Sequence, residues 1–222
     1  MSGIWYLSPS CQRENLGVNG YGSEQEQMYL LVDTITPHLD RAGVSFHVAD
    51  PSVPISRRCQ ESNEMGACFH LALHSNAGGG GTARGPVGLY YSDTGKAFCE
   101  RLVAGLLSLG QESNRCDHVV RMPGLLELRK TRAPAALLEV DFHDSPAGVD
   151  FLTGRRREIG EAIARVIIEA DGKTFCPPTS GECWEEALRL GLLAESLTPG
   201  EAVTGEALAV FAVRLLNYLG RG

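Results

Sequence analysis

The stretch Leu-Leu-Glu-Val-Asp-Phe-His-Asp, residues 137–144, combines a short apolar run with polar residues at its end. Similar apolar runs alternate with amphipathic stretches over the first 170 residues, a pattern typical of an α/β domain. The predicted strands cover residues 4–7, 44–48, 69–74, 85–91 and 137–142. Apolar residues spaced by three and four predict helices over 24–39, 96–109 and 156–170. We therefore expect a twisted, mainly parallel sheet flanked by helices on both faces.

The last fifty residues differ from the rest of the chain in composition. Residues 173–182 are rich in Pro, Gly, Ser and Thr, which predicts a linker between a domain over 1–172 and a segment over 183–222. Helical stretches at about 183–190 and 205–219 predict a small helical appendage. Such a pair has too little core to fold alone, so we expect it to dock on the main domain or on a partner.

Charge and cysteine content exclude several classes of protein. The 222 residues include 20 Lys and Arg against 27 Asp and Glu, a net charge of -7, so no basic surface for nucleic acid is expected. No apolar run is long enough for a membrane span. Seven cysteines without a Cys-x-x-Cys pair favour free thiols in a reducing cytoplasm. The sequence shows no recognisable signal peptide.

Three residues point to metal-assisted hydrolysis. Glu24 begins the first predicted helix, His74 ends a predicted strand, and Glu139 lies within a buried one, so all three are expected at one edge of the sheet. Imidazole and carboxylate groups are zinc ligands, and a separate Glu can act as general base. The alternative for Glu139 is a buried ion pair with Arg129 or Arg132.

At these residues the chain resembles the amidase-3 family of zinc-dependent N-acetylmuramoyl-L-alanine amidases. His74 in Leu-Ala-Leu-His-Ser-Asn-Ala matches the family's second His, and Glu24 in Tyr-Gly-Ser-Glu matches its ligand at a helix start. Glu139 in Ala-Ala-Leu-Leu-Glu-Val matches the catalytic Glu. The resemblance covers residues 4–170. It implies Zn2+ as cofactor and peptidoglycan as substrate, with Asn76 and Arg129 as candidate substrate-binding residues.

The first predicted strand departs from the family pattern. Where the family has Asp-Pro-Gly-His-Gly-Gly, residues 8–13 read Ser-Pro-Ser-Cys-Gln-Arg, so Cys11 stands in place of the His. Residues 7–15 resemble a divergent branch with the pattern Leu-Ser-Pro-Ser-x-Gln-x-x-Asn. The third metal ligand therefore stays open among Cys11, Gln12 and His143, and loss of metal binding is an alternative.

The C-terminal segment resembles a single surface-layer-homology unit, which suggests attachment to the cell wall. The resemblances together imply a wall-lytic amidase that is made in the cytoplasm and reaches the wall after lysis, through holin pores or by non-classical export. Two other functions stay open. One is a non-catalytic peptidoglycan-binding protein with a degenerate site, and the other is a zinc peptidase that cuts within the stem peptide.

Overall fold

The computed structural model describes residues 3–78, 80–177, 180–193 and 204–219. Parts of the predicted linker (178–179) and of the segment resembling a surface-layer-homology unit (194–203 and 220–222) lie outside the described residues. Contacts divide the chain into two units, Met1–Cys176 and Pro177–Gly222. Among the helices that are described, none is both long and apolar enough to cross a membrane.

The first unit alternates strands and helices. Its strands are β1 (Trp5–Pro9), β2 (Phe46–Val48), β3 (Phe69–Asn76), β4 (Val87–Tyr90), β5 (Val119–Arg121) and β6 (Ala135–Phe142). Its helices are α1 (Glu24–Arg41), α2 (Ile55–Glu64), α3 (Asp93–Leu107), α4 (Leu126–Lys130), α5 (Pro146–Gly154) and α6 (Arg156–Ala170). The second unit contains α7 (Ser180–Arg189) and α8 (Gly205–Leu219).

The six strands form one sheet in the order β2-β1-β3-β6-β4-β5. All neighbouring strands are parallel except β4 and β6, which are antiparallel. The prediction of a mainly parallel sheet is confirmed. Because β1, β3 and β6 run side by side in the same direction, their carboxyl ends meet at one edge of the sheet.

One face of the sheet carries the main hydrophobic core. On β3 the alternating residues Phe69, Leu71 and Leu73 belong to this core, since side chains on a strand point to opposite faces in turn. The core also takes its members from α1, α3 and α6. Phe69 lies 5.1 Å from Trp5 and 4.5 Å from Phe98, measured between ring centroids. Burial of this aromatic group fixes the central strands against the three helices.

The opposite face of the sheet is covered by fewer buried apolar side chains. A second, small cluster there joins Ala72, Leu128, Ala135 and Leu137, contributed by β3, β6 and α4. Helices α2 and α4 pack together beside it. The prediction of helices on both faces is therefore confirmed, and the thinner cover on this side leaves room for buried polar residues.

The start of α1 follows from its sequence. Ser23 is the N-cap, and its Oγ accepts a hydrogen bond from the Glu26 backbone N–H at 3.2 Å. This bond satisfies one of the free N–H groups at the helix start. The apolar residues spaced by three and four are buried in the core, which fixes the rotation of α1 and with it the direction of Glu24.

Several elements differ from the sequence-based predictions. Helices α2, α4 and α5 and strand β5 were not predicted. The strand predicted over 85–91 corresponds to β4, which is shorter and covers Val87–Tyr90. Helix α7 begins at Ser180, within the predicted linker. In α2 the buried residues are Arg58, Cys59 and Ser62, so the helix lacks the apolar periodicity by which amphipathic helices are recognised.

Candidate active site

Glu24, His74 and Glu139 meet at the carboxyl edge of the sheet. His74 on β3 and Glu139 on β6 are register partners, so their side chains leave the same face side by side. Glu24 is the first residue of α1, and its Oε1 lies 2.7 Å from Nδ1 of His74. Three residues distant in the sequence are thus neighbours in the fold.

The carboxylate of Glu24 is fully buried and fully hydrogen-bonded. Its Oε1 faces His74 and accepts the Ser75 backbone N–H at 3.3 Å, and its Oε2 accepts Nδ2 of Asn15 at 2.6 Å. Burial alone would raise the pKa of Glu24. The hydrogen bonds from His74 and Asn15, together with the charge of His74, outweigh this and hold the pKa below its ordinary value.

His74 lies between acidic groups. Its Nδ1 faces Glu24, and its Nε2 lies 3.9 Å from Oε2 of Glu127. Burial would lower the pKa of His74, but the interactions with Glu127 and Glu24 and the nearby charge of Glu139 raise it to about 10. The imidazole is therefore a strong base that is held in place from both sides.

Glu139 has a different environment from Glu24. Its Oε2 is buried and has no hydrogen-bond partner in the part of the chain that the structure describes. Burial raises the pKa of Glu139 to about 7; the charge of His74 lowers it and that of Glu24 raises it. No ion pair between Glu139 and Arg129 or Arg132 occurs among the described residues, and Arg129 is exposed on α4. The site thus contains a carboxylate that is free to exchange a proton near neutral pH.

His143 belongs to a chain of hydrogen bonds that leads to Glu24. The Tyr21 hydroxyl donates to Ser75 Oγ at 3.0 Å, and Ser75 Oγ lies 2.8 Å from Nδ1 of His143. Nε2 of His143 lies 3.1 Å from Oδ1 of Asn15, whose Nδ2 donates to Glu24. Burial lowers the pKa of His143, against the charge of Glu24. Both ring nitrogens of this candidate ligand are therefore already engaged.

The other predicted residues lie around this centre. Cys11 is a half-buried free thiol in the loop after β1, and the side chain of Gln12 is exposed. Asn76 ends β3, and its Oδ1 accepts the Ala77 backbone N–H at 2.8 Å. The structure shows no hydrogen bond from the side chain of Cys11 or Gln12 to Glu24 or His74 among the residues described.

A second group of buried polar residues was missed by sequence reasoning. Glu127 on α4 is nearly fully buried; its Oε1 lies 3.0 Å from Nε2 of His70 and accepts the Ser8 hydroxyl at 2.5 Å. Burial would raise the pKa of Glu127, but the hydrogen bonds from His70 and His74 keep it well below its usual range. Arg58 lies behind Ser8, with Nη1 3.3 Å from Ser8 Oγ.

One signal in the sequence could have found Glu127. It lies in the apolar run Leu125-Leu-Glu-Leu128, the same kind of environment that drew attention to Glu139. Asn15 ends the pattern quoted for residues 7–15 and Ser75 follows His74 in its motif, but neither was assigned a role, because their contacts depend on how the loop before α1 folds.

The donor atoms fit part of a zinc site. An imidazole nitrogen and a carboxylate oxygen 2.7 Å apart, as in His74 and Glu24, are the kinds of atom that zinc prefers. The unpartnered Oε2 of Glu139 lies on the adjacent strand. Within the described ranges, however, no group of three or more His, Cys, Asp or Glu side chains could hold a metal ion. Two ligands are in place, and a third protein ligand is not brought to them.

Comparison with known proteins assigns the family. The model of the amidase-3 family, described as N-acetylmuramoyl-L-alanine amidase, matches residues 14–169. The chain belongs to the amidase-3 family. The family match includes Glu24, His74 and Glu139, and it begins after Cys11 and Gln12, where the sequence departs from the family's first motif. No curated protein matches the chain.

Solved structures share the amidase-3 fold. N-acetylmuramoyl-L-alanine amidase AmiC2 of Nostoc punctiforme is 20% identical, with a TM-score of 0.66 over 77% of this chain and 98% of that one. The catalytic domain of CwlV from Bacillus (Paenibacillus) polymyxa var. colistinus is 16% identical, with the same TM-score and coverage. The catalytic domain of the CD27L endolysin is 18% identical, with a TM-score of 0.63 over 76% and 98%. At these identities the similarity concerns the fold.

Proposed function

We propose that this amidase-3 domain hydrolyses the amide bond between N-acetylmuramic acid and L-alanine in peptidoglycan, with zinc as its cofactor. The observation that carries the proposal is the buried, unpartnered Oε2 of Glu139 beside the His74–Glu24 pair. Membership of the amidase-3 family supports the same reaction. The proposed site of action is the cell wall, reached after lysis, through holin pores or by non-classical export.

In this proposal Glu24 and His74 hold the metal together with one of Cys11, Gln12 and His143. When bound, zinc would polarise the scissile carbonyl and lower the pKa of the attacking water. The hydrogen bonds from Asn15 and the Ser75 backbone fix the orientation of the Glu24 carboxylate. A ligand held in this way needs little reorganisation on binding.

Glu139 is the proposed general base and acid. Burial raises the pKa of Glu139 to about 7 in the metal-free protein, and a carboxylate in such a site can take a proton from water and return it to the leaving amine nitrogen. Because Oε2 has no other partner among the described residues, no protein hydrogen bond must break first. Asn76 and Arg129 are proposed to contact the substrate.

Glu139→Gln tests the assignment of the base. The substitution keeps the size of the side chain but removes its basicity, so we expect an intact fold, unchanged zinc content and a loss of turnover of at least about a hundredfold. Glu158→Gln, an exposed residue of α6, is the control and should leave turnover unchanged. Near-normal turnover by Glu139→Gln would contradict the assignment.

The third ligand can be identified by zinc stoichiometry. Three variants, Cys11→Ser, Gln12→Leu and His143→Asn, each remove one candidate donor. The ligand is the residue whose substitution lowers the number of zinc ions bound per protein molecule. For His143 to bind metal, a ring nitrogen must first release Asn15 or Ser75. Full zinc content in all three variants would exclude every candidate.

A second function is favoured by one observation. Because the described residues hold no cluster of three metal-binding side chains, a non-catalytic peptidoglycan-binding protein with a degenerate site also fits the geometry. Purified protein of this kind would carry no zinc after incubation with the metal, yet it would sediment with insoluble peptidoglycan.

A further inference from the structure

We propose that Glu127 is a positioning residue that holds the His74 imidazole with Nδ1 directed to Glu24 and Nε2 directed away from it. The inference rests on the proposed function in one respect, because it takes Nδ1 as the metal-binding atom. No residue of the amidase-3 motifs quoted above has this role, and Glu127 lies outside them.

The strand β3 creates the space in which Glu127 lies. His70, Ala72 and His74 point to the same face of the sheet, and the first and last are about 13 Å apart along the strand. The small Ala72 side chain between them leaves room for a carboxylate that enters from α4. The Oε1 of Glu127 contacts Nε2 of His70 at 3.0 Å, and Oε2 lies 3.9 Å from Nε2 of His74. One carboxylate thus bridges both histidines.

Glu127 is itself held rigidly. Ser8 on β1 donates its hydroxyl hydrogen to Oε1, and the guanidinium of the buried Arg58 donates to the same Ser8 oxygen. The ring of His70 stacks on Tyr6, with centroids 5.0 Å apart and planes inclined by 10°. Hydrogen bonds from Ser8 and His70 therefore fix Oε1 of Glu127. Its Oε2 is left to face Nε2 of His74.

This arrangement decides which nitrogen of His74 is available. A carboxylate opposite Nε2 keeps the proton on that nitrogen, so Nδ1, which faces Glu24 in the metal-free protein, is the nitrogen that would give up its proton to bind a metal beside Glu24. At 3.9 Å the contact is longer than a direct hydrogen bond, and a shift of about 1 Å by either side chain completes it. Glu24 from α1 faces Nδ1, and among the described residues no carboxylate other than that of Glu127 lies within 4 Å of Nε2.

Glu127→Gln is the decisive variant, with Glu61→Gln as its matched control. In Glu127→Gln the amide oxygen can keep Ser8 and His70, which leaves the NH2 group opposite Nε2 of His74. An NH2 group can only donate, so Nε2 should lose its proton, while Nδ1 keeps the proton that faces Glu24. Glu61 on α2 also accepts a hydrogen bond from a buried side chain of β1, at 2.8 Å from the Tyr6 hydroxyl, but it does not contact His74.

Two measurements give the result. Two-bond proton–nitrogen NMR spectra of the metal-free protein show which ring nitrogens of His74 carry protons, and competition with a chromogenic chelator gives the zinc dissociation constant. We expect Nε2 to be protonated in the unsubstituted protein and in Glu61→Gln but not in Glu127→Gln. Zinc binding should weaken by about 10- to 100-fold in Glu127→Gln only.

An unchanged Nε2 proton together with unchanged zinc affinity in folded Glu127→Gln would overturn the proposal. If Glu127→Gln does not fold, Ser8→Ala takes its place, because it loosens the carboxylate without removing it. We then expect a few-fold weaker zinc affinity and faster exchange of the Nε2 proton, and no change in either would overturn the proposal. If the unsubstituted protein binds no zinc, the metal part of the proposed function fails, while the NMR spectra of the metal-free protein still decide the role of Glu127.

Discussion

Single residues at the edge of the sheet differ in their affinity for protons although they lie close together. Interactions with His74 hold the pKa of Glu24 low, and those with His70 and His74 hold the pKa of Glu127 low, whereas burial without a hydrogen-bond partner raises the pKa of Glu139 to about 7. Carboxylates whose pKa values are pushed apart are typical of acid–base sites. The roles proposed for these residues as ligand, positioning residue and base rest on these contacts.

The raised pKa of Glu139 predicts a pH dependence of stability. In the metal-free protein the folded state holds the Glu139 proton up to about pH 7, whereas the unfolded chain releases it near pH 4.5. The folded state therefore binds more protons within this window, and stability falls as the pH rises through it. The contribution is roughly 3 kcal/mol, at about 1.4 kcal/mol for each tenfold change in proton affinity.

Glu139→Gln removes this contribution. Urea unfolding of the metal-free protein should show the variant gaining stability relative to the unsubstituted protein by roughly 3 kcal/mol between pH 4.5 and pH 7. A difference in unfolding free energy that does not vary with pH would contradict the environment described for Glu139.

At the scale of elements, the position of Glu24 depends on how α1 packs against α6. The two helices approach closely where Gly160 of α6 faces Thr34 of α1. A Cβ atom at Gly160 would lie 2.8 Å from Thr34 Cβ and closer still to its Oγ1. Only a residue without a side chain allows this distance, so the spacing of the helices is fixed here.

Gly160→Ala should destabilise the protein by about 1–3 kcal/mol, since the helices must separate to admit the methyl group. Gly105→Ala on α3 is the control, because its Cβ would lie 3.9 Å from Ala162 Cβ, at ordinary contact distance. It should be neutral or stabilising by up to about 1 kcal/mol. Thermal or urea unfolding measures both effects.

Thr34→Ala in the Gly160→Ala background separates this cause from others. Removing the Thr34 hydroxyl and methyl groups should recover part of the lost stability if the clash is responsible. Equal stability of Gly160→Ala and the unsubstituted protein would show that the helices are not as tightly packed as described.

Sequence patterns predicted the strands and helices in which apolar residues recur at a regular spacing. β3 and α1 were predicted because their apolar residues alternate or recur every three to four positions, and Glu24 and Glu139 followed from the amidase-3 motifs. Helix α2 was missed because its buried side is formed by Arg58, Cys59 and Ser62, whose burial depends on partners from distant segments. Which of Cys11, Gln12 and His143 completes the proposed metal site could not be predicted, because this depends on how the segments after β1 and β6 fold.

At the scale of the whole molecule, the site residues and the main core belong to the first unit, Met1–Cys176. A chain that ends at Cys176 should therefore unfold cooperatively and keep its activity on a soluble muropeptide. The resemblance of residues 183–222 to a surface-layer-homology unit predicts weaker co-sedimentation of this shortened chain with insoluble peptidoglycan. Loss of cooperative unfolding, or of activity on the soluble substrate, would show that the first unit depends on the second.

Mass spectrometry of purified peptidoglycan after incubation with the zinc-loaded protein tests the central claim most directly. An amidase that uses Glu139 as base should release stem peptides with a free N-terminal alanine and leave unsubstituted glycan strands, and Glu139→Gln should release them at least about a hundredfold more slowly. Cuts within the stem peptide would contradict the claim in favour of a zinc peptidase. No products from folded protein that carries no zinc would contradict it in favour of a peptidoglycan-binding protein without catalytic activity.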